Sequence, residues 1–311
     1  MVEAARKYKR IVQVGTQTRS ARYLKDAVDY IRAGNLGQIY FVRVSGMMKL
    51  ESKPKGAEEP VPNGFDWDMW CGPSPKMPYS SGRWWFNVWD YCTGDIGSDL
   101  VHQLDVARFL IDKTHPKSVY HAGKTFYFQD KREIPDTQIA IFEYDNLIMN
   151  TESAVWMPYM EKAAYNIRDN DLFPDWPFNS DKIELFGTKA VMFFGRLGGG
   201  WQVFASGAQD EASLRKVHVS AKAVASQYGR QSTDEHLGNF IDCIRSRNKP
   251  NADVEEGHYS TLLALLANIS YRAGNRKLLF DAKTERFIND AEANKYITRN
   301  YRKPWVLPDK V

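Results

Sequence analysis

Two stretches in the middle of the chain limit its fold most tightly. "TQIAIFEYD" and "LIMNTESAVW" each alternate apolar and polar residues, and a short Asp145-Asn146 turn joins them. A period of two is the signature of a strand, and so short a link makes the pair an antiparallel hairpin. "DKIELFGTKAVMFFG" repeats the pattern around a Gly187-Thr188 turn. "QIYFVRVSGMM", from Gln38 to Met48, and "SVYHAGKTFYF" supply further strands. Helical periodicity then covers Asp234 to Ser246 and Glu255 to Tyr271, with a short last helix near Asp290 to Thr298. Strands in the middle followed by helices predict an α+β domain: an open, mostly antiparallel sheet with helices packed on one face.

The first residues carry a different pattern. "MVEAARKYK" has helical spacing and runs directly into "RIVQVG", a β-branched run closed by a glycine. This is the back half of a βαβ unit, and the expectation is that the natural domain begins upstream of Met1. A helix is predicted from Ser20, as N-cap, to Ala33, with "AGNLG" as its stop. Residues 49–80 hold so many prolines and glycines that no regular element is expected there. So long a loop points to function or to a partner.

Composition removes several classes. Among 311 residues, 43% are hydrophobic and 26% charged, the proportions of a globular protein. The net charge of +4 is spread along the chain with no basic stripe, which argues against nucleic acid. The three cysteines, Cys71, Cys92 and Cys243, form no CxxC pair. They read as buried thiols in a reducing compartment, not as a disulfide or zinc framework. No apolar run reaches the roughly 20 residues of a membrane span, and "MVEAARKYKR" lacks the apolar core of a signal peptide.

The chemistry is best sought in "RWWFNVWDYCTGDIGSDLVHQLDVARFL", Arg83 to Leu110. Read as one helix from Asp95 to Ile111, it gathers Ile96, Leu100, Leu104, Ala107 and Ile111 on one side. Asp99, His102 and Asp105 fall together on a flank away from that stripe. Asp99 and His102 are three apart, so their side chains can meet. A carboxylate beside an imidazole fixes its tautomer and raises its basicity, as a general base near neutral pH requires. Gly94 and Gly97 would admit a ligand or a backbone. Trp84, Trp85, Trp89 and Tyr91 suit stacking on a sugar ring or a nicotinamide, and equally suit a core. A histidine on a helix flank is more often structural, and spacing alone leaves both readings open. "GRLGGGW", Gly195 to Trp201, opens no helix and reads as a flexible loop or strand bend. His236 and Arg245, on an amphipathic helix, read as structural.

In order along the chain, "RIVQVGTQTRS", "AGNLGQIYFVRV", "FDWDMWCGPSPKMPY", "IPDTQIAIFEYD", "DKIELFGTKAVMFF", "HLGNFIDCIRSRNKPNADVEEGH" and "NYRKPWVLP" resemble the Gfo/Idh/MocA family of NAD(P)-dependent oxidoreductases. The resemblance implies a division into residues 1–36, the end of a dinucleotide-binding Rossmann domain, and residues 37–311, an α+β domain for substrate and oligomerisation. It implies hydride transfer between NAD or NADP and a hydroxyl carbon of a sugar, inositol or related polyol. By the family pattern His102 takes the hydroxyl proton and Asp99 orients it. Gln17 and Arg19 meet the nicotinamide side, and Arg83, Trp85, Tyr91 and Asp105 meet a carbohydrate-like small molecule. A homo-oligomer through the open sheet and a bacterial cytoplasmic setting are further implications, with an upstream export signal left open. Two features depart from the pattern. Ser98, not an aspartate, stands four residues before His102. The GxGxxG turn and the Glu-Lys-Pro lysine are not among the 311 residues. Two alternatives therefore stand beside the dehydrogenase: a non-catalytic carbohydrate-binding or dimerisation module, and an NAD-dependent enzyme that cleaves glycosides.

Overall fold

The computed structural model describes residues 1–46, 57–81, 85–130, 132–156, 163–207, 209–210, 215–216 and 219–306. Its helices are α1 (Val2–Lys7), α2 (Arg22–Arg32), α3 (Trp67–Cys71), α4 (Gly94–Ser98), α5 (Leu100–Leu110), α6 (Tyr165–Arg168), α7 (Thr233–Ser246), α8 (Val254–Arg272) and α9 (Ala291–Asn294). The strands are β1 (Ile39–Ser45), β2 (Ser118–Lys124), β3 (Thr137–Glu143), β4 (Ile148–Ala154), β5 (Lys182–Gly187), β6 (Ala190–Gly195), β7 (Trp201–Ala205), β8 (Gln209–Asp210), β9 (Arg215–Lys216), β10 (Ala225–Gln227), β11 (Leu278–Asp281) and β12 (Arg286–Phe287).

Ten of the strands form one sheet in the order β10-β7-β6-β5-β1-β4-β3-β2-β11-β12. Only β1 and β4 run parallel, and every other pairing in it is antiparallel. The α+β class predicted from the alternating stretches is therefore the fold. Period two decides which face is covered. Ala140 and Phe142 of β3, Met149 of β4, Ile183 and Leu185 of β5, and Met192 and Phe194 of β6 join one core with Leu100, Leu104 and Ala107 of α5 and Leu263, Ala264 and Ala267 of α8. Fully burying one such aliphatic or aromatic side chain is worth about 1.5–3 kcal/mol, so this face holds the domain together. The opposite face carries the alternate residues, among them exposed Tyr120 and Ile148.

Several expectations need correction. "RIVQVG" forms no strand: an isolated bridge, Gln13 to Asp253, and bonds to Ala252 and His236 tie it down instead. Its β-branched residues find no adjacent strand edge. Ser20 is not a cap, because a 3-10 turn over Gln17–Ser20 precedes α2 and Ala21 takes the N-cap place. The Ser20 hydroxyl instead meets His236 Nδ1 at 2.8 Å. Within 57–80, α3 does form. The Asp66 carboxylate accepts from Met69 N and starts that single turn between prolines. The last helix spans only Ala291–Asn294.

The register also fixes an address for function. β1 and β4 end side by side, with Ser45 opposite Glu152. β3 starts opposite the end of β4, β2 ends opposite the start of β3, and β5 starts opposite the end of β6. The ends of β1, β2, β4 and β6 and the starts of β3 and β5 thus lie together along one edge of the sheet.

Candidate active site

α4 enters along that edge. Gly94 sits at φ +68, and a Cβ there would lie 2.6 Å from the Ile134 side chain. A Cβ on Gly97 would lie 2.0 Å from Thr93 Oγ1. Both glycines therefore make room for neighbouring side chains of the chain itself. Asp95 is buried and accepts from Ser153 Oγ on the inner face of β4. The expected single helix from Asp95 to Ile111 is broken at Asp99, whose φ of −109° ends α4 before α5 begins. A helical-wheel argument carries across that break with an error, and it misplaces Asp105.

Past the break, α5 sends polar side chains to both sides. Towards the sheet edge, Arg196 Nη1 donates to Asp99 Oδ1 at 3.3 Å and to Gln103 Oε1 at 3.4 Å. Gln103 Nε2 donates to Asp181 Oδ1 at 3.3 Å, and Arg196 N donates to Asp181 O at 3.0 Å. His102, half-buried, lies between Asp99 and Gln103 in the first turn of α5, its backbone N–H bonded to Asp99 O at 3.1 Å. The cluster is not sealed: the Arg196 and Asp99 side chains keep 8% and 15% of their exposure. Tyr23 braces it from behind, donating to Arg196 O at 2.7 Å and Gly195 O at 2.9 Å. Burial pushes the Tyr23 hydroxyl up, so it stays a neutral donor.

Towards the helix layer the picture reverses. Arg19 Nε reaches both oxygens of Asp105, at 2.9 and 2.8 Å, and the two side chains are 1% and 0% exposed. Ser260 Oγ also donates to Asp105. Arg19 Nη1 meets Glu256 at 3.2 Å, and Arg108 pairs with the same carboxylate. Burial alone would raise Glu256, but the hydrogen bond and charge of Arg108, with Arg19 beside it, hold it below the usual range. Asp105, expected on an open polar flank, is thus enclosed, and Arg19 is committed to it. Neither can contact a ligand without opening this network. Gln17, on the turn just before, stays half-exposed.

Of the aromatic segment, Trp85 is 44% exposed against Phe86. Tyr91 is a brace, with its hydroxyl on Pro75 O and its ring 5.3 Å from Trp70, which stacks on Trp67 at 4.4 Å. Trp89 packs against Tyr271. Arg83 and Trp84 lie outside the described residues. His236 is structural as expected, with Nε2 2.9 Å from Val14 O. The cysteines are free and buried, no described helix is long and apolar enough to cross a membrane, and no group of three metal-ligating side chains occurs among the described residues. Sequence reasoning missed Arg196, Gln103 and Asp181. Arg196 lies in "GRLGGGW", where the glycines conceal it. Gly199 and Gly200, at φ +85 and +62, bend the hairpin so that the arginine returns to α5.

The fold is an α+β domain built on one open, mostly antiparallel sheet. The Gfo/Idh/MocA profile described as "Oxidoreductase family, C-terminal alpha/beta domain" matches residues 26–144 and 222–307, and the chain belongs to that family. No curated protein sequence matches it. Among solved structures it is similar to the WlbA dehydrogenase from Bordetella pertussis in complex with NADH and UDP-GlcNAcA, at 16% identity and TM-score 0.56, covering 90% of this chain and 66% of that one. It is also similar to aldose-aldose oxidoreductase from Caulobacter crescentus complexed with glycerol, at 14% identity and TM-score 0.58, covering 90% and 67%. Levoglucosan dehydrogenase with NADH and levoglucosan aligns at 15% identity and TM-score 0.53, covering 89% and 68%. At these identities the likeness is one of fold.

Proposed function

We propose that the chain is the polyol-handling part of an NAD(P)-dependent oxidoreductase acting on a sugar, inositol or related polyol. The observation that carries this is that Arg196 is hydrogen-bonded to Asp99 and Gln103 at the start of α5, where Asp99 and His102 stay half-buried. In this reading His102 takes the proton of the substrate hydroxyl as the carbon becomes a carbonyl. Asp99, held by Arg196, fixes the direction of the imidazole, and Arg196, braced from behind by the buried Gln103, offers its Nε to a neighbouring hydroxyl. Trp85 supplies an apolar face for the ring, and Arg83 remains a candidate contact on the same segment. Among the described residues Gln17 can meet a nicotinamide end, whereas Arg19 is enclosed and does not fit that role. No GxGxxG turn occurs in the sequence to cradle the pyrophosphate. A bound nicotinamide would supply the hydride acceptor. The sheet face turned away from the helices, with Tyr120 and Ile148 exposed, is where a second copy would dock.

Calorimetric titration with myo-inositol, glucose and glycerol, with and without NAD or NADP, tests the reading. Saturable polyol binding weakened about tenfold by Arg196→Ala supports it, since hydrogen bonds to a charged group are worth about 1.5–3 kcal/mol. Absence of polyol binding, or variants that bind like the parent, would overturn it. Polyol binding without any net change in reduced dinucleotide would instead favour a binding module or a glycoside-cleaving reaction.

A further inference from the structure

A cleft of about 290 Å³ lies apart from the Asp99–Arg196 cluster and shares no residue with it. Its walls are the C-terminal end of α8, the segment after α9, the Ser74 turn, and Trp89 with Asp90. Three cations line it, Arg272, Lys295 and Arg299, against the single carboxylate of Asp90. Arg299 ties the walls together by donating to Asp90 O.

Arg272, exposed at the end of α8, is the member held between two rings. Its guanidinium lies 4.4 Å from the Tyr296 ring centre and 5.5 Å from that of Trp89. The two rings fix its plane, yet among the described residues no carboxylate or carbonyl accepts from it. The neighbouring arginines are treated differently. Arg276 is paired with Asp290 and Glu292. Arg302 donates to Asp68, Gly72 O and Ser74 O. A planar fork held by aromatic faces and left without an acceptor is arranged for an oxyanion. Lys295 adds a second cation with no described partner, and Thr298 and Asn300 line the same wall with groups that suit hydroxyls. The volume falls at the bottom of the range for small-molecule sites, which excludes a dinucleotide.

We infer that this cleft is a second ligand site, for a monosaccharide-sized polyol bearing an oxyanion, either a phosphate monoester or a carboxylate. It does not depend on the function proposed above. Binding pairs an anion with the cations that outnumber Asp90 in the cleft, so it weakens with salt.

The test is titration of the full chain at low ionic strength, followed by tryptophan fluorescence and calorimetry. The probes are inorganic phosphate, glucose 6-phosphate, glucuronate and neutral glucose. A charged sugar should bind at least about tenfold more tightly than glucose, and Arg272→Gln and Lys295→Gln should each remove about tenfold in affinity. Lys25→Gln, an exposed change on α2, should leave it unaltered. Trp89→Phe should remove the ligand-dependent fluorescence change. Preference for glucose 6-phosphate identifies a phosphate monoester as the source, and preference for glucuronate identifies a sugar acid. Equal binding of glucose and the charged sugars, no binding of any probe, or unchanged affinity in Lys295→Gln would overturn the inference. Lys295→Gln removes no described side-chain contact, so it decides the matter even where Arg272→Gln disturbs folding.

Discussion

Arg19–Asp105 and Arg196–Asp99 are both arginine–aspartate pairs, with Asp99 capping α5 and Asp105 six residues further along it. The first is doubly bonded at 2.9 and 2.8 Å, with side chains 1% and 0% exposed. The second rests on one contact of 3.3 Å and keeps 8% and 15% of its exposure. The residue types are the same, but the enclosure differs. A sealed ion pair fixes how the turn before α2 meets α5 and α8, because neither charge can be left alone in an apolar interior. A half-open pair at a strand edge holds donors and acceptors in place while leaving capacity for a ligand.

The largest effect should come from breaking the sealed pair. Asp105→Ala leaves Arg19 charged and enclosed, and should cost about 3–5 kcal/mol in urea denaturation. Asp99→Ala should cost only about 1 kcal/mol. Equal losses for the two variants would erase the distinction between the pairs. Next in size, Arg196→Ala should lower polyol affinity about tenfold with the fold intact, as circular dichroism and titration would show. A variant that kept full affinity would remove Arg196 from the site.

A smaller, pH-dependent effect sharpens the comparison. His121 is enclosed and bonded to Gln138, and burial pulls it below its ordinary 6.5. Above pH 6.5 both folded and unfolded states are neutral there, so the stability is fully present. As pH falls through 6.5 the unfolded chain takes up a proton first, and stability declines until the lower folded value is passed. Glu256 is depressed too, so its contribution is present above its ordinary 4.5 and is lost as pH falls through its folded value. Urea midpoints should therefore fall in two stages, and His121→Gln should flatten only the upper one. An unchanged upper stage in that variant would contradict the assignment. The smallest effect is local. Arg302→Ala leaves Asp68 with Lys76 alone and frees the Gly72 carbonyl, and should speed amide exchange over α3 while leaving α5 and α8 as they were.

The sequence showed the parts of this molecule that obey a local rule. The hairpins β3–β4 and β5–β6 stand out because alternation and short turns are local, and α7 and α8 because their apolar periodicity is long. β10 and β12 are too short to carry a period, and β10 also depends on β7, about twenty residues earlier. His102 and Asp99 were visible by spacing. The break at Asp99 was not, because the residues "GDIGSDLV" contain no proline and the bend is set by tertiary contacts. Nor was the burial of Asp105, because its acceptability depends on Arg19, 86 residues earlier in sequence. Arg196 was hidden for the same reason: its role appears only when the glycine-rich hairpin brings it to α5.

The most direct test of the central claim, that the half-open flank of α5 is the working one, is NMR of histidine-labelled protein during polyol titration, with His102→Gln to assign the signal. The account predicts that the His102 imidazole resonances move with polyol occupancy, that Arg196→Ala suppresses the movement, and that His121 and His236 stay still. Polyol binding with a motionless His102 would contradict it.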